Sequence, residues 1–480
     1  MAESFAGPEQ TENRSAVRRG LRKLTALVAG ALVAITMSGI ALAAAEVGSG
    51  AFQFEPVPAS AVCTPGGNPT QPFVLPPGYI QTVFAAEPEG GTRDLWDMNT
   101  LNETGPEAGR YLYRTHETSN TSQVSVTDLT TRTITVLAQR ADWERFDGIA
   151  WTPWGTLLAA EETDVQLLRD PDFPLAVPGL VYEFFLDPDD PTKLDTTVTG
   201  GTTPGVLARP AIGARSHEGL RFDPQGNLYG ITETSRVDNS PFQEGPGGFI
   251  YKFTPDTRGD LSSGQLYALK VTVPTVDRTG EAVWVALDRA SVQIDSDIAA
   301  VTAGATGYDR PEDVETATSS GNNRGGANIL YVAVTSENRV LAIDLREPRG
   351  GAAHETAFVT DYVRQNVNAP ADFNAPDNLA LDHAGTLFIS EDPSVNPLGQ
   401  GADIWAALPP AGGGHKRMAS NTVRFASLTD CAAEPTGIYF DKDGTVLYVN
   451  AQHRGGDGRD LAIAIAPVRF QGHLPPADAP

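Results

Sequence analysis

The chain has 480 residues, with 60 acidic against 35 basic side chains and a net charge of −25 at pH 7. Charge of that sign argues against nucleic acid and anionic membrane surfaces as partners, since like charges repel at close approach. There are two cysteines, Cys63 and Cys431, which leave open one disulfide joining the two ends of the mature chain or two unpaired thiols.

Residues 1–45 read as an export signal. Arg14, Arg18, Arg19, Arg22 and Lys23 precede an apolar run from Leu24 to Ala45, which ends in the small-residue cleavage pattern Ala41-Leu42-Ala43. The stretch from Val17 to Lys23 resembles a twin-arginine signal, the address of proteins exported already folded. Cleavage places the mature protein in the periplasm or outside the cell, with no stable membrane association. If the run stays uncleaved, it is long enough to anchor the chain in a bilayer. Residues 46–70, rich in scattered Gly, Pro and Ser, read as a flexible lead-in. From 71 to 470 short apolar-alternating runs are separated by Gly, Pro, Asp and Asn turns, with no long amphipathic helix and no dividing linker. That pattern predicts a single all-β domain too large for one sandwich core, and a β-propeller, which grows by adding blades, accommodates it. The Pro-rich stretch 471–480 reads as a disordered tail.

One plan recurs through the domain. In Arg215 to Arg236, Glu218 opens an apolar run, Asp223-Pro224-Gln225-Gly226 turns it, and Leu228-Tyr229-Gly230-Ile231-Thr232 returns to Glu233. Folding back at the turn sets Glu218 beside Glu233. The same geometry pairs Asp97 with Glu117, Asp147 with Glu161, Glu312 with Glu337, Asp377 with Glu391, and Glu434 with Gln452. These six units predict a six-bladed β-propeller with inserted loops. Unit starts are spaced irregularly, so insertions are expected at 164–205, 274–306 and 318–327. Gly248 to Phe253 and Arg339 to Ile343 are candidate outer strands.

In a propeller, equivalent positions of successive blades face one another across the axis. Glu117, Asp147, Glu161, Glu218, Glu233, Glu312, Glu337, Asp377, Glu391 and Glu434 are therefore expected at one mouth. So many carboxylates cannot all stay ionised without counter-charge, and hard cations with oxygen ligands, namely calcium, magnesium, manganese or iron, supply it. Arg310, two positions before Glu312, is suited to grip an oxyanion such as phosphate bidentately; its alternative is an ion pair with Asp309 or Asp313. His116 and His217 precede repeat acids and are candidates to bind metal or orient a ligand, as is His453; a neutral core imidazole is the equal alternative. No nucleophile elbow, phosphate-binding Gly loop or dinucleotide fingerprint is present.

Several of these pieces resemble, in collinear order, the PhoX-type alkaline phosphatases. They are Thr115-His116-Glu117, Thr152-Pro153-Trp154-Gly155-Thr156 with Glu161-Glu162, Ser216-His217-Glu218-Gly219, and Gly248 to Phe253 with Gly259-Asp260-Leu261-Ser262. Arg310-Pro311-Glu312, Pro376-Asp377-Asn378-Leu379 with Glu391-Asp392, and Glu434-Pro435-Thr436-Gly437 with Asn450-Ala451-Gln452-His453 complete the set. The resemblance implies a six-bladed propeller, twin-arginine export, and phosphate-ester hydrolysis at a central cluster of calcium and iron. It places Glu117, Glu218 and Glu312 on metal-ligand positions, Arg310 on a substrate-phosphate contact, and makes Asp377, Glu233 and Glu434 plausible ligands. Arg310 and Glu312 are the expected catalytic pair, with His217 beside the substrate. Where the family carries an iron-ligating Cys before Thr-Pro-Trp-Gly, this chain has Asp147 in Phe146-Asp147-Gly148-Ile149-Ala150. An oxygen ligand there favours Ca2+, Mg or Mn over Fe. The expected activity is an exported metal-dependent phosphatase acting on a small phosphorylated substrate. A lactonase or phosphodiesterase on a calcium propeller, and a non-catalytic calcium-stabilised binding module, are the rival expectations.

Overall fold

The structure is a computed structural model. It describes residues 47–87, 94–163, 169–235, 247–273, 275–316, 329–345, 355–392, 398–410 and 418–477. The expected signal therefore lies outside the described residues, as do residues 318–327 and 478–480. Residues 44–480 belong to one compact unit.

Six hairpins form the centre, and their first strands are buried on both faces although they carry polar as well as apolar residues. These strands are Trp96–Leu101, Phe146–Trp151, His217–Phe222, Pro311–Thr316, Pro376–Leu381 and Glu434–Phe440. Each packs against the next, and Glu434–Phe440 packs against Trp96–Leu101, which closes a ring. From each, an antiparallel meander runs outward. Three sheets have four strands, one has five, and a nine-stranded sheet joins two meanders where Gly280–Ala286 pairs with Thr356–Arg364. The arrangement is all-β and propeller-like, with one α-helix, Ser296–Ala303, among the described residues.

The apolar cores lie between neighbouring sheets, as stacked twisted sheets require. The ring is locked by the N-terminal part of the chain. Tyr79–Ala86 is the outer strand of the last sheet, antiparallel to Leu461–Pro467 with Leu461 opposite Ala86, and Phe73–Val74 extends the sheet before it.

The lead-in at 46–70 is not flexible. Val47–Ser49 and Phe52–Phe54 form a short hairpin, and Phe52, 1% exposed, places its ring 5.0 Å from that of Phe440 and 5.6 Å from that of Phe388. Glycines and prolines around it hide an alternating Phe-Gln-Phe strand, whose burial offsets the cost of ordering the segment. Cys63 and Cys431, with Cα atoms 5.0 Å apart and 368 residues of separation, form a disulfide that staples this lead-in to the last sheets. The start of the expected disordered tail is also ordered, because Val468–His473 makes a 3-10 turn against Tyr79–Ala86 and Leu461–Pro467. Both expected outer strands are present, as Ile250–Thr257 and Arg339–Leu345. The expected insertion at 164–205 contains a regular sheet strand, Val181–Phe184, whereas 274–306 holds the extra strand Gly280–Ala286 and the α-helix.

Candidate metal and phosphate centre

Five of the six central hairpins deliver both a first-strand acid and their last residue to the axial cavity, and the Glu312 hairpin delivers the acid alone of this pair. The first-strand residues Asp97, Asp147, Glu218, Glu312 and Asp377 sit in a break in strand register, and Glu434 is paired with Gln452 ahead of the break in its own hairpin. A bulge of this kind re-aims a side chain out of the sheet. The last residue of each hairpin, one beyond the end of its returning strand, is Glu117, Glu162, Glu233, Thr335, Asp392 or His453. In five hairpins the backbone N–H of that last residue donates to the carbonyl two positions before the first-strand acid: Glu117 to Leu95 (2.9 Å), Glu162 to Arg145 (2.8 Å), Glu233 to Ser216 (3.3 Å), Thr335 to Arg310 (2.9 Å) and Asp392 to Ala375 (2.9 Å). Four of those acceptors, Leu95, Arg145, Arg310 and Ala375, hold φ between 37° and 52°. A left-handed backbone at non-Gly residues costs free energy and persists only where the surroundings impose it, as around a functional centre. Glycine at 148 and 219 lets the strands close in. A Cβ on Gly148 would lie 2.0 Å from the Glu218 carbonyl oxygen, and one on Gly219 1.7 Å from Asp313 Oδ1.

The result is a cavity of about 180 Å³ lined by ten carboxylates, Asp97, Glu117, Asp147, Glu162, Glu218, Glu233, Glu312, Asp377, Asp392 and Glu434. Arg310 and His453 share its wall. All seven residues expected to hold metal meet here, Glu117, Glu218 and Glu312 among them. Two triplets, Asp147 with Glu162 and Glu218, and Glu218 with Glu233 and Glu312, each bring three ligand oxygens within 4.8 Å of one another. Burial above all, with the neighbouring carboxylates, pushes Asp97, Asp147, Glu162, Glu218, Glu312, Asp377 and Glu434 well above the usual carboxylate range. Asp147 Oδ1 is buried without a hydrogen-bond donor, an oxygen suited to a cation. An all-oxygen, polyanionic donor set of this kind fits calcium, magnesium or manganese and offers no thiolate.

Arg310 is the one guanidinium in the cavity wall among the described residues. Its Nε lies 2.7 Å from Glu233 Oε1, and its terminal nitrogens lie 2.8 Å from Glu312 Oε1 and 3.2 Å from Asp392 Oδ2. Its side chain keeps 32% of its surface open, so it is reachable from the cavity. The alternative pairing with Asp309 or Asp313 is not the one adopted. Asp313 instead accepts from the backbone N–H of Val314 and Leu379.

Three expected ring acids lie elsewhere, and in each case strand geometry explains the shift. Phe146 is opposite Glu161, so side-chain alternation turns Glu161 into the sheet and Glu162 into the cavity. Glu161 accepts from the backbone N–H groups of Glu144 (3.0 Å), Leu180 (3.0 Å) and Gly179 (3.3 Å). Likewise Glu391 accepts from the Trp405 indole at 2.7 Å, and its neighbour Asp392 faces the axis. Pro311 pairs with Val334, so Glu337 overshoots the strand into a 3-10 turn and binds Arg278 and Arg339. Asp97, Glu162 and Asp392 are the cavity acids missing from the expected ligands. The register rule that each returning strand ends one residue before its cavity acid would have found the last two.

His217 does not line the cavity. It is fully buried on the face opposite Glu218, with Nε2 2.9 Å from the Gly213 carbonyl, and burial holds it well below its normal pKa, hence neutral. His116 is also turned away, to Ser125 and Asp94. His453 does reach the cavity, with Nε2 3.9 Å from Glu434 Oε2.

Among solved structures, the chain is similar to a structural-genomics target provisionally described as a gluconolactonase (13% identity, TM-score 0.43, covering 82% of this chain and 93% of that one). It is also similar to a Thermus thermophilus protein provisionally described as a glucose dehydrogenase (17%, 0.40, 78% and 98%). A third is the PQQ-bound aldose sugar dehydrogenase of Streptomyces coelicolor (14%, 0.38, 82% and 100%). Likeness at that distance transfers no activity to this chain. No curated protein matches it. The family description "Alkaline phosphatase PhoX" matches residues 202–455, a span that contains Glu218, Glu233, Arg310, Glu312, Asp377, Asp392 and Glu434. That match takes in more than half of the chain and most of the cavity wall, and the protein belongs to the PhoX family.

Proposed function

We propose that this protein is an exported, metal-dependent phosphatase that hydrolyses phosphate monoesters in the central carboxylate cavity of a six-bladed propeller. In that count the nine-stranded sheet is two blades joined at their outer edges. The observation that carries the reading is the composition of one cavity: ten carboxylates around a single guanidinium. Acids this buried and this close together need cations, and cations beside an arginine make a site for a polyanionic oxyanion.

Asp147, Glu162, Glu218, Glu233 and Glu312 would hold the ions, with Glu117, Asp377 and Glu434 completing the set; calcium is the first candidate, with Mn, Mg or Fe as a second metal. When bound, such ions neutralise phosphoryl oxygens and lower the pKa of water. Arg310 orients the phosphoryl group and stabilises charge that develops on its equatorial oxygens. Leu95, Arg145, Arg310 and Ala375, held by backbone hydrogen bonds, fix the carboxylates before any ligand arrives, so little reorganisation is required during reaction. Signal cleavage would release the protein to the periplasm or medium.

Phosphate release from a simple monoester, with calcium and after chelation, tests the proposal together with Glu218→Gln, the residue common to both ligand triplets. Activity should vanish on chelation, return with calcium, and stay lost in the variant. A variant that turns over at the wild-type rate would refute the reading. Ring opening of lactones without phosphate release would favour the lactonase rival, and bound calcium without turnover of either substrate would favour the binding module.

A further inference from the structure

We propose that the cavity adjoining the carboxylate ring receives the alcohol half of the ester, and that its chemistry selects a small polyhydroxylated alcohol over an aryl or nucleoside group. The inference rests on the phosphatase reading and adds the substrate class. The carboxylate cavity, about 180 Å³, is smaller than the usual site for an organic ligand, whereas its neighbour is about 500 Å³. Arg310 belongs to both walls, so a phosphate gripped by it stands at the junction.

The ring itself marks the direction in which the leaving group points. In the hairpin of Glu312 the residue after the returning strand is Thr335 in place of an acid, and Thr335 lines the larger cavity. An ester oxygen directed there leaves the ring on the side where Thr335 replaces a second acid. During hydrolysis the oxygen of water forms the new bond to phosphorus. The P–O bond to the alcohol breaks with its electron pair on the alcohol oxygen, and that oxygen takes a proton derived from the water. A neutral alcohol then leaves through the larger cavity.

The wall of this cavity combines uncharged hydrogen-bonding side chains with Arg310 and the carboxylates Asp372, Glu391 and Asp403. Ser336 and Gln400 offer hydroxyl and amide groups, Asn338 and Gln365 bond each other and the backbone of Ala375 and Ala371, and no aromatic side chain lines the cavity among the described residues. Each lining carboxylate has a protein partner on at least one oxygen, while Asp403 Oδ1 is buried without one. Asp403 takes Arg424 Nε at 2.7 Å and Ser60 Oγ at 2.8 Å, Glu391 takes the Trp405 indole at 2.7 Å, and Asp372 pairs with Arg424. Primary amides donate and accept at once, which matches hydroxyl groups. Without an aromatic face, a nucleobase or phenyl ring gains no stacking there.

The test uses the full mature protein loaded with calcium and three probes: glycerol 3-phosphate, methyl phosphate and orthophosphate as inhibitor. Gln400→Leu keeps the side-chain volume and removes the amide, so it should raise KM for glycerol 3-phosphate about fivefold, the value of one lost hydrogen bond. It should leave kcat/KM for methyl phosphate and the orthophosphate inhibition constant within twofold of wild type. Ser336→Phe, at an exposed position, should raise KM for glycerol 3-phosphate further while sparing methyl phosphate. Unchanged glycerol 3-phosphate kinetics in both variants, or equal shifts for all three probes, would overturn the subsite. Failure of the wild-type protein to hydrolyse even methyl phosphate would remove the phosphatase reading and this inference with it.

Discussion

Replacing Arg310 by Ala separates its two roles in the cavity. In the absence of ions its guanidinium is the counter-charge for Glu233, Glu312 and Asp392 at 2.7, 2.8 and 3.2 Å. Removing one partner of a buried pair costs about 3 kcal/mol or more, here lessened by the partial exposure of Arg310 and by protonation of acids already pushed upward. For a domain of this size that corresponds to a fall of roughly 3 °C in melting temperature in chelator. With calcium bound the carboxylates keep a counter-charge, and the fall should shrink below about 1 °C. Catalysis should respond in the opposite way. A bidentate donor aimed at developing phosphoryl charge is worth about 3 to 4 kcal/mol, or 10²- to 10³-fold in kcat/KM. Arg310→Lys keeps the charge without the planar fork and should fall between the two. The assay is phosphate release with calcium, paired with thermal unfolding with and without chelator. If kcat/KM for Arg310→Ala lies within threefold of wild type in calcium, the guanidinium is an ion-pair partner alone and the argument for phosphate binding is refuted.

Adjacent acids should separate cleanly. Glu162→Gln should lower bound metal, measured by elemental analysis, with little loss of chemical stability. Glu161→Gln should keep the metal and lose about 1 to 3 kcal/mol in urea, because it weakens three backbone hydrogen bonds to a buried carboxylate. Equal metal loss in both would contradict the alternation assigned to this strand. Reduction of Cys63–Cys431, or Cys63→Ser, frees a closed loop with a separation of 368 residues and should lower stability by about 4 kcal/mol. The melting temperature should then fall by roughly 5 °C, and no change would mean that the strand pairing of the two chain ends carries the closure alone. Asp382 is buried at a turn, where desolvation outweighs the backbone N–H groups of Thr386, Ala384 and Gly385 and pushes it up to about 6 from 3.8. A folded pKa above the unfolded one gives stability that is complete below pH ~4 and is lost as pH rises through about 6. Compared with Asp382→Asn, the wild type should therefore lose about 3 kcal/mol between pH 4 and pH 7 in urea titrations. A constant difference between the two proteins across that range would refute the assignment.

The recurring acid, turn, acid plan was visible in the amino-acid order because strands reverse at Gly, Asp and Asn turns, and a reversal point fixes which ends meet. It was enough to give the all-β repeat and to gather Glu117, Asp147, Glu218, Glu233, Glu312, Asp377 and Glu434 as one group. Arg310 was legible for a related reason, since its place two residues before Glu312 puts it at the mouth of the same hairpin. What sequence could not supply was which of two neighbouring acids faces the axis. A single-residue bulge exchanges the faces of a strand, and Glu161 for Glu162 and Glu391 for Asp392 are that exchange. Nor could it show that Phe52 and Phe54 lie in a core, that Cys63 reaches Cys431, or that Thr335 leaves a gap in the acid ring beside a second cavity. Those contacts join segments hundreds of residues apart, and they exist only once the ring of sheets has closed and brought them within reach.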